Sequence, residues 1–190
     1  MHSTKFIWLA LLLVFLSAQI VFATDLPPAP KGYSWVRCDE TKSAFLKPNG
    51  WFFKKGKKGD TWGYFISKEK IDNSGSFTTG LTVNIIPNIP RKKEMLPTEY
   101  AAAFIQTGIN NRKVVKEPWQ NDMGPFQAYG VVLHNTDNKG GDFITHELAI
   151  GNDTTGTMYL ITFEAPAASW KAAWQLGEPM LQRFLIDSDI

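Results

Sequence analysis

The sequence predicts an α+β fold, an antiparallel sheet flanked by helices. Three observations lead there. Runs rich in branched and aromatic residues recur at 62–67, 81–86, 127–135, 142–150 and 157–164, separated by glycine- and asparagine-containing turns. Apolar residues at helical spacing occur around 97–108 and again around 170–184. Strand runs joined by short turns, with helices set between and after them, form layers around one antiparallel sheet rather than alternating βαβ units.

The chain has 190 residues and opens on M-H-S-T-K followed by an apolar run from Phe6 to Phe22, with small residues at Val21 and Ala23. This pattern predicts a Sec-type secretory signal peptide over 1–23. An uncleaved anchor is the alternative, because the run is as long as a short membrane span. No cysteine stands directly after the cleavage site, where Thr24 is the first mature residue, and no second stretch is long enough to span a bilayer, so a lipid anchor and a membrane span after cleavage are not expected. Export to the periplasm or the medium follows. Removing 1–23 leaves 167 residues with a net charge near +1, since Lys5 is the one charged residue removed. That balance lacks the basic excess of a nucleic-acid-binding protein. The length suits a single domain at 33–190 after a proline-rich leader at 24–32. Cys38 is the only cysteine, so no internal disulfide is available. A lone cysteine is either a buried small hydrophobe or an intermolecular thiol, and burial is the commoner state.

The elements follow in order. Residues 33–38 alternate around Tyr33, Trp35 and Arg37 as a first strand, and 43–46 form a second extended piece. Pro48-Asn49-Gly50 makes a tight turn, in which Asn and Gly tolerate positive φ. Trp51 then begins the next strand as a candidate core anchor. Residues 54–60, K-K-G-K-K-G-D, predict a solvated hairpin loop before a strand at 62–67. A polar loop at 72–80 leads to a central strand at 81–86. Pro87, Pro90 and Pro97 bracket a connecting segment. Pro97 suits a helix first turn, where its missing N–H has no partner to lose, and Glu99 suits the positive helix end. Gly108 and Asn110 end that helix. Val114-Val115 predicts a short strand and 116–125 a polar loop. Longer strands follow at 127–135, 142–150 and 157–164. Ser169 can cap a final helix whose stripe is Trp170, Ala173, Trp174, Gly177, Leu181 and Phe184. Pro179 breaks or kinks it.

Several segments in this order carry a resemblance: P-N-G-W at 48–51, L-T-V-N-I-I at 81–86, L-P-T-E-Y at 96–100, Y-G-V-V-L at 129–133, Y-L-I-T-F at 159–163 and M-L-Q-R-F at 180–184. Together they resemble the PsbP-like α/β/α sandwich over most of 33–186. That fold is shared by the extrinsic PsbP subunit of photosystem II, a small Ran-binding protein and many exported bacterial proteins. The resemblance implies a protein that binds or supports other proteins, and it brings no catalytic residue set.

The candidate sites are three. His134 and His146 flank the turn N-T-D-N-K-G-G-D, and a hairpin centred on Gly140 would set them face to face, with Val132 opposite Leu148. Imidazoles with Asp142, and with Asp137 and Glu147 close in sequence, suit a divalent metal. A one-residue slip parts the rings, and the alternative is two surface histidines beside a loop. Lys54, Lys55, Lys57 and Lys58 form a basic loop which, with Arg91, Lys92 and Lys93, suits an acidic partner or an anionic membrane surface. The alternative is a solvated tip that discourages edge pairing. Trp119 in K-E-P-W-Q-N-D-M-G-P is either an exposed partner-binding anchor or a ring folded onto the sheet edge. No G-x-S-x-G or phosphate-binding glycine loop is present, and Cys38 has no sequence-local base. The favoured function is an exported, non-catalytic binding or accessory protein whose partner is another envelope protein, with no cofactor. A metal-binding protein or metal-dependent enzyme using His134 and His146 is the alternative.

Overall fold

The computed structural model describes residues 26–72, 76–136 and 140–187. The expected signal peptide, the first leader residues 24–25 and Asp137 lie outside the described residues. The strands β1 (Tyr33–Cys38) and β2 (Ser43–Pro48) form a hairpin. There follow β3 (Phe52–Lys58), β4 (Thr61–Ser67), β5 (Gly80–Ile86), a short helix α1 (Ile89–Lys93) and the helix α2 (Pro97–Asn111). The chain continues through β6 (Lys113–Met123), β7 (Phe126–Thr136), β8 (Asp142–Asn152) and β9 (Thr157–Pro166). It closes with α3 (Trp170–Gln182) and β10 (Phe184–Leu185). Seven strands make one antiparallel sheet in the order β3-β4-β5-β9-β8-β7-β6, and β1-β2-β10 make a second, smaller one.

Strand alternation sorts side chains to two faces. On one face Leu81, Val83, Ile85, Leu148, Ile150, Ile161 and Phe163 bury against Phe45 and Leu46 of the small sheet and Ala173, Met180 and Leu181 of α3. On the other, Val131, Leu133, Ala149 and Met158 bury against Ala101 and Ile105 of α2. Each such Val, Leu, Ile, Phe or Met side chain contributes about 1.5–3 kcal/mol on burial, and the two clusters hold the three layers together. The close seat of α2 depends on Gly151. A β-carbon there would stand 2.5 Å from the Thr98 nitrogen and 2.6 Å from the Pro97 carbonyl carbon, which are backbone atoms that cannot turn aside. Asp153, at the adjoining β8–β9 turn, accepts from the Thr98 N–H at 2.9 Å and the Thr98 hydroxyl at 2.8 Å, and so caps the start of α2.

Several expectations change. The lysine segment is no loop: β3 continues to Lys58 and only Gly59-Asp60 turns, because β4 pairs with it residue for residue from Phe52↔Ser67 to Lys58↔Thr61. The segment read as a short strand and polar loop is the eleven-residue β6, paired to β7 along its length. A strand at an edge can be polar on its open side and can hold Pro118, which would be excluded from a central strand. The proline-bracketed connection contains α1. Pro179 does not end α3, which runs three residues further to Gln182. Ser169 makes no side-chain cap; its hydroxyl donates to the Pro166 carbonyl at 3.3 Å instead. Phe184 leaves the helical stripe and pairs with Phe45 in the small sheet. Trp51 packs against the main core but is only half-buried.

Candidate partner-binding surface

The strand order sets the two candidate contact groups at opposite edges of the seven-stranded sheet, Trp119 on β6 and the four lysines on β3. Trp119 stands opposite Gly130 of β7. Its indole lies across that glycine, since a β-carbon on Gly130 would be 2.3 Å from Cε2 and 2.4 Å from Cζ2. The ring is therefore folded onto the sheet edge, as one of the two sequence readings has it, yet it keeps 38% of its surface exposed. Val115 (49%) and Met123 (38%) are the other exposed large apolar residues of β6. The pairing shifts register between Val114 and Lys116 and again between Lys116 and Trp119. Such bulges twist an edge and re-aim its side chains.

The β3 edge exposes one large apolar residue, Phe52 (43%), and is otherwise lined by lysines. Lys54 Nζ donates to the Asp72 carbonyl at 2.7 Å, Lys55 pairs with Glu40, and Lys57 lies over the Trp62 ring at 5.0 Å. Lys58 is exposed. Alternation sends Lys55 and Lys57 to one face of the sheet and Lys54 and Lys58 to the other. An edge carrying four lysines resists the addition of another strand.

The histidines share a face but do not face each other. The hairpin pairs Val132 with His146 and His134 with Ile144, so the rings are diagonal neighbours. The turn is set by the full β7–β8 pairing from Gln127↔Gly151 onward rather than by the glycine pair. His134 Nε2 lies 3.7 Å from Asp142 Oδ1. His146 is held separately, with its ring 4.9 Å from that of Trp174 and both ring nitrogens buried without a hydrogen-bond partner. Burial, followed by the charge of Lys116, pulls its pKa down to about 4. Among the described residues no group of three His, Cys, Asp or Glu side chains gathers in ligand geometry.

Cys38 is 1% exposed, and burial pushes its thiol up to about 12, so it is the buried residue expected. A polar cluster that no sequence motif marks lies under the end of α2. Arg112 donates to both Glu147 oxygens, at 2.5 and 2.8 Å, and to Asn135 Oδ1 at 3.3 Å. Asn135 in turn donates to Thr145 Oγ1 at 3.0 Å. Burial, and then the Glu147 charge, raises the pKa of the nearby Glu164 carboxyl. A glutamate amid the apolar run of β8 was the available signal. Arg112, Asn111 and Gly108 also line a shallow cleft of about 320 Å³ with Tyr100, Phe104 and Thr107.

Among the described residues, no helix is long and apolar enough to cross a membrane. No family model and no curated protein sequence matches the chain. Solved structures do. The cyanobacterial PsbP of a Synechocystis species matches at TM-score 0.50 and 13% identity, over 87% of this chain and 99% of that one. LpqN of Mycobacterium tuberculosis, described as involved in cell envelope biogenesis, matches at TM-score 0.51 and 10% identity, over 81% and 90%. The Ran-binding protein Mog1p of Saccharomyces cerevisiae matches at TM-score 0.46 and 12% identity, over 81% and 95%. The chain has the PsbP-like α/β/α fold.

Proposed function

We propose that this chain is an exported, non-catalytic accessory protein of the cell envelope that binds another protein along the β6 edge. The observation that carries the proposal is the contrast between the two sheet edges. One is lined by Lys54, Lys55, Lys57 and Lys58 with Phe52 as its single exposed large apolar residue; the other exposes three, Val115, Trp119 and Met123. Natural sheets protect their edges with charge, so apolar residues left exposed on an edge mark a contact surface. Trp119 is suited to anchor it, being a large amphipathic ring already held in place over Gly130. The envelope setting draws on the signal-like N-terminus and agrees with the description of the mycobacterial neighbour.

Photo-crosslinking in exporting cells tests this. A photoreactive residue at Val115 or Met123 should give one discrete protein adduct that is lost when Trp119→Ala is added. The same probe at Lys54 should not give that adduct. No adduct from β6, or equal adducts from both edges, would overturn the assignment. The metal reading keeps one supporting observation, that His134 and His146 share a sheet face with Asp142 next to His134. A rise in thermal stability with zinc that disappears in His134→Ala would favour it.

A further inference from the structure

The two basic segments are distant in sequence but adjoin in the fold. Asp60, at the β3–β4 turn, accepts from Asn88 Nδ2 at 3.3 Å and pairs with Lys92, which ties the hairpin tip to α1. The backbone N–H of Ile89 donates to the Gly156 carbonyl at 2.9 Å and fixes the other side of α1 to the β8–β9 turn. One end of the molecule therefore gathers Lys57, Lys58, Arg91, Lys92 and Lys93 around two acids, Asp60 and Glu94. Lys58, Arg91 and Lys93 are exposed. Lys57 and Lys93 rest on the rings of Trp62 and Tyr100, at 5.0 and 5.1 Å, which orders their stems and leaves their charge. Leu96 opens the next helix with 47% of its surface exposed, and its carbonyl accepts from the Tyr100 N–H, one turn from the ring that holds Lys93.

We propose that this hairpin–α1 end docks the protein on an anionic phospholipid surface. Four of the five cations are lysines, which act as point charges. Such charges suit a field of mobile headgroup phosphates better than the bidentate geometry of a carboxylate partner, which favours arginine. An exposed leucine beside such a cluster adds shallow apolar contact at the headgroup boundary. The remaining acids of this end are Glu99, which accepts from the Leu96 N–H at 3.0 Å beside the cluster, and Asp122 near the end of β6 and Asp153 on the β8–β9 turn, which lie across it. The contact is therefore off-centre, and the β6 edge is left free for a protein partner.

The test is co-sedimentation of the exported protein with vesicles of phosphatidylglycerol and phosphatidylcholine, against vesicles of phosphatidylcholine alone. The wild type should bind the anionic vesicles, and raised salt should release it. Lys57→Gln with Lys58→Gln, and Arg91→Gln with Lys93→Gln, should each weaken binding by about fivefold per charge removed. Lys92 is kept to preserve the Asp60 pair. Unaltered circular dichroism and melting of the variants would keep misfolding out of the comparison. Equal binding to neutral vesicles, no binding to either, or unchanged binding of all four substitutions together would overturn the proposal. Charge-dependent capture on immobilised polyglutamate without vesicle binding would also overturn it, in favour of an acidic protein partner. Because the β6 crosslinks are read at the opposite edge, failure of one proposal leaves the other measurable.

Discussion

Trp119 lies across Gly130 so closely that the glycine has no room for a side chain. The nearest ring carbon is 2.3 Å from where a β-carbon would stand. Gly130→Ala should therefore push the indole off the sheet and cost about 1–3 kcal/mol, as overpacking does. In a Trp119→Ala background the same change should cost less than about 1 kcal/mol, since alanine otherwise suits a strand better than glycine. A double-mutant cycle from urea melts measures the coupling. Additive effects would mean that the ring does not rest there.

Arg112 and Glu147 are coupled in the same way by burial. The Glu147 side chain is 7% exposed and has the guanidinium on both oxygens. Arg112→Ala should destabilise by about 3–5 kcal/mol, because it leaves a buried carboxylate unpaired. Replacing both residues with methionine should recover most of that loss. If Arg112→Ala and the double replacement melt alike, the pair is not the source of the cost.

His146 makes stability depend on pH. Its folded pKa is about 4, against an ordinary value of 6.5, because burial disfavours the charged ring. Above pH 6.5 the ring is neutral in both states and adds no pH dependence. As pH falls from 6.5 towards 4, the unfolded chain takes up the proton first, so stability falls by up to about 3 kcal/mol and then levels off. His146→Phe keeps a ring against Trp174 and should flatten that part of the pH–stability curve. An equally steep curve in the variant would assign the loss to other groups.

Cys38 should be unreactive in the native protein. Its thiol is buried and its pKa is pushed up to about 12, so almost no thiolate exists near neutral pH. Labelling by a thiol reagent should be slow in buffer and rapid in denaturant, with a native rate that tracks unfolding. Fast native labelling, or a covalent dimer under oxidising conditions, would place the thiol at the surface.

Much of the fold is legible in local pattern. The alternation in β5, β8 and β9 and the stripe in α3 appear directly, because burying one face needs period 2 in a strand and about 3.6 in a helix. The edges are not legible that way. K-K-G-K-K-G-D and K-E-P-W-Q-N-D-M read as loops because neither side of an edge strand has to be apolar throughout. Backbone pairing to β4 and β7 makes them strands. The candidate surfaces were visible only as residue types, for the same reason.

The sequence by itself determined the layered antiparallel architecture, the buried cysteine and the set of residues able to make contacts, since these follow from hydrophobic period and composition. The tertiary structure alone decided three things. Register put His134 and His146 on a diagonal. Strand order put Trp119 and the lysines on opposite edges. The Asp60–Lys92 pair joined two basic segments into one end. Each depends on which distant backbones hydrogen-bond to one another, and no local periodicity encodes that choice.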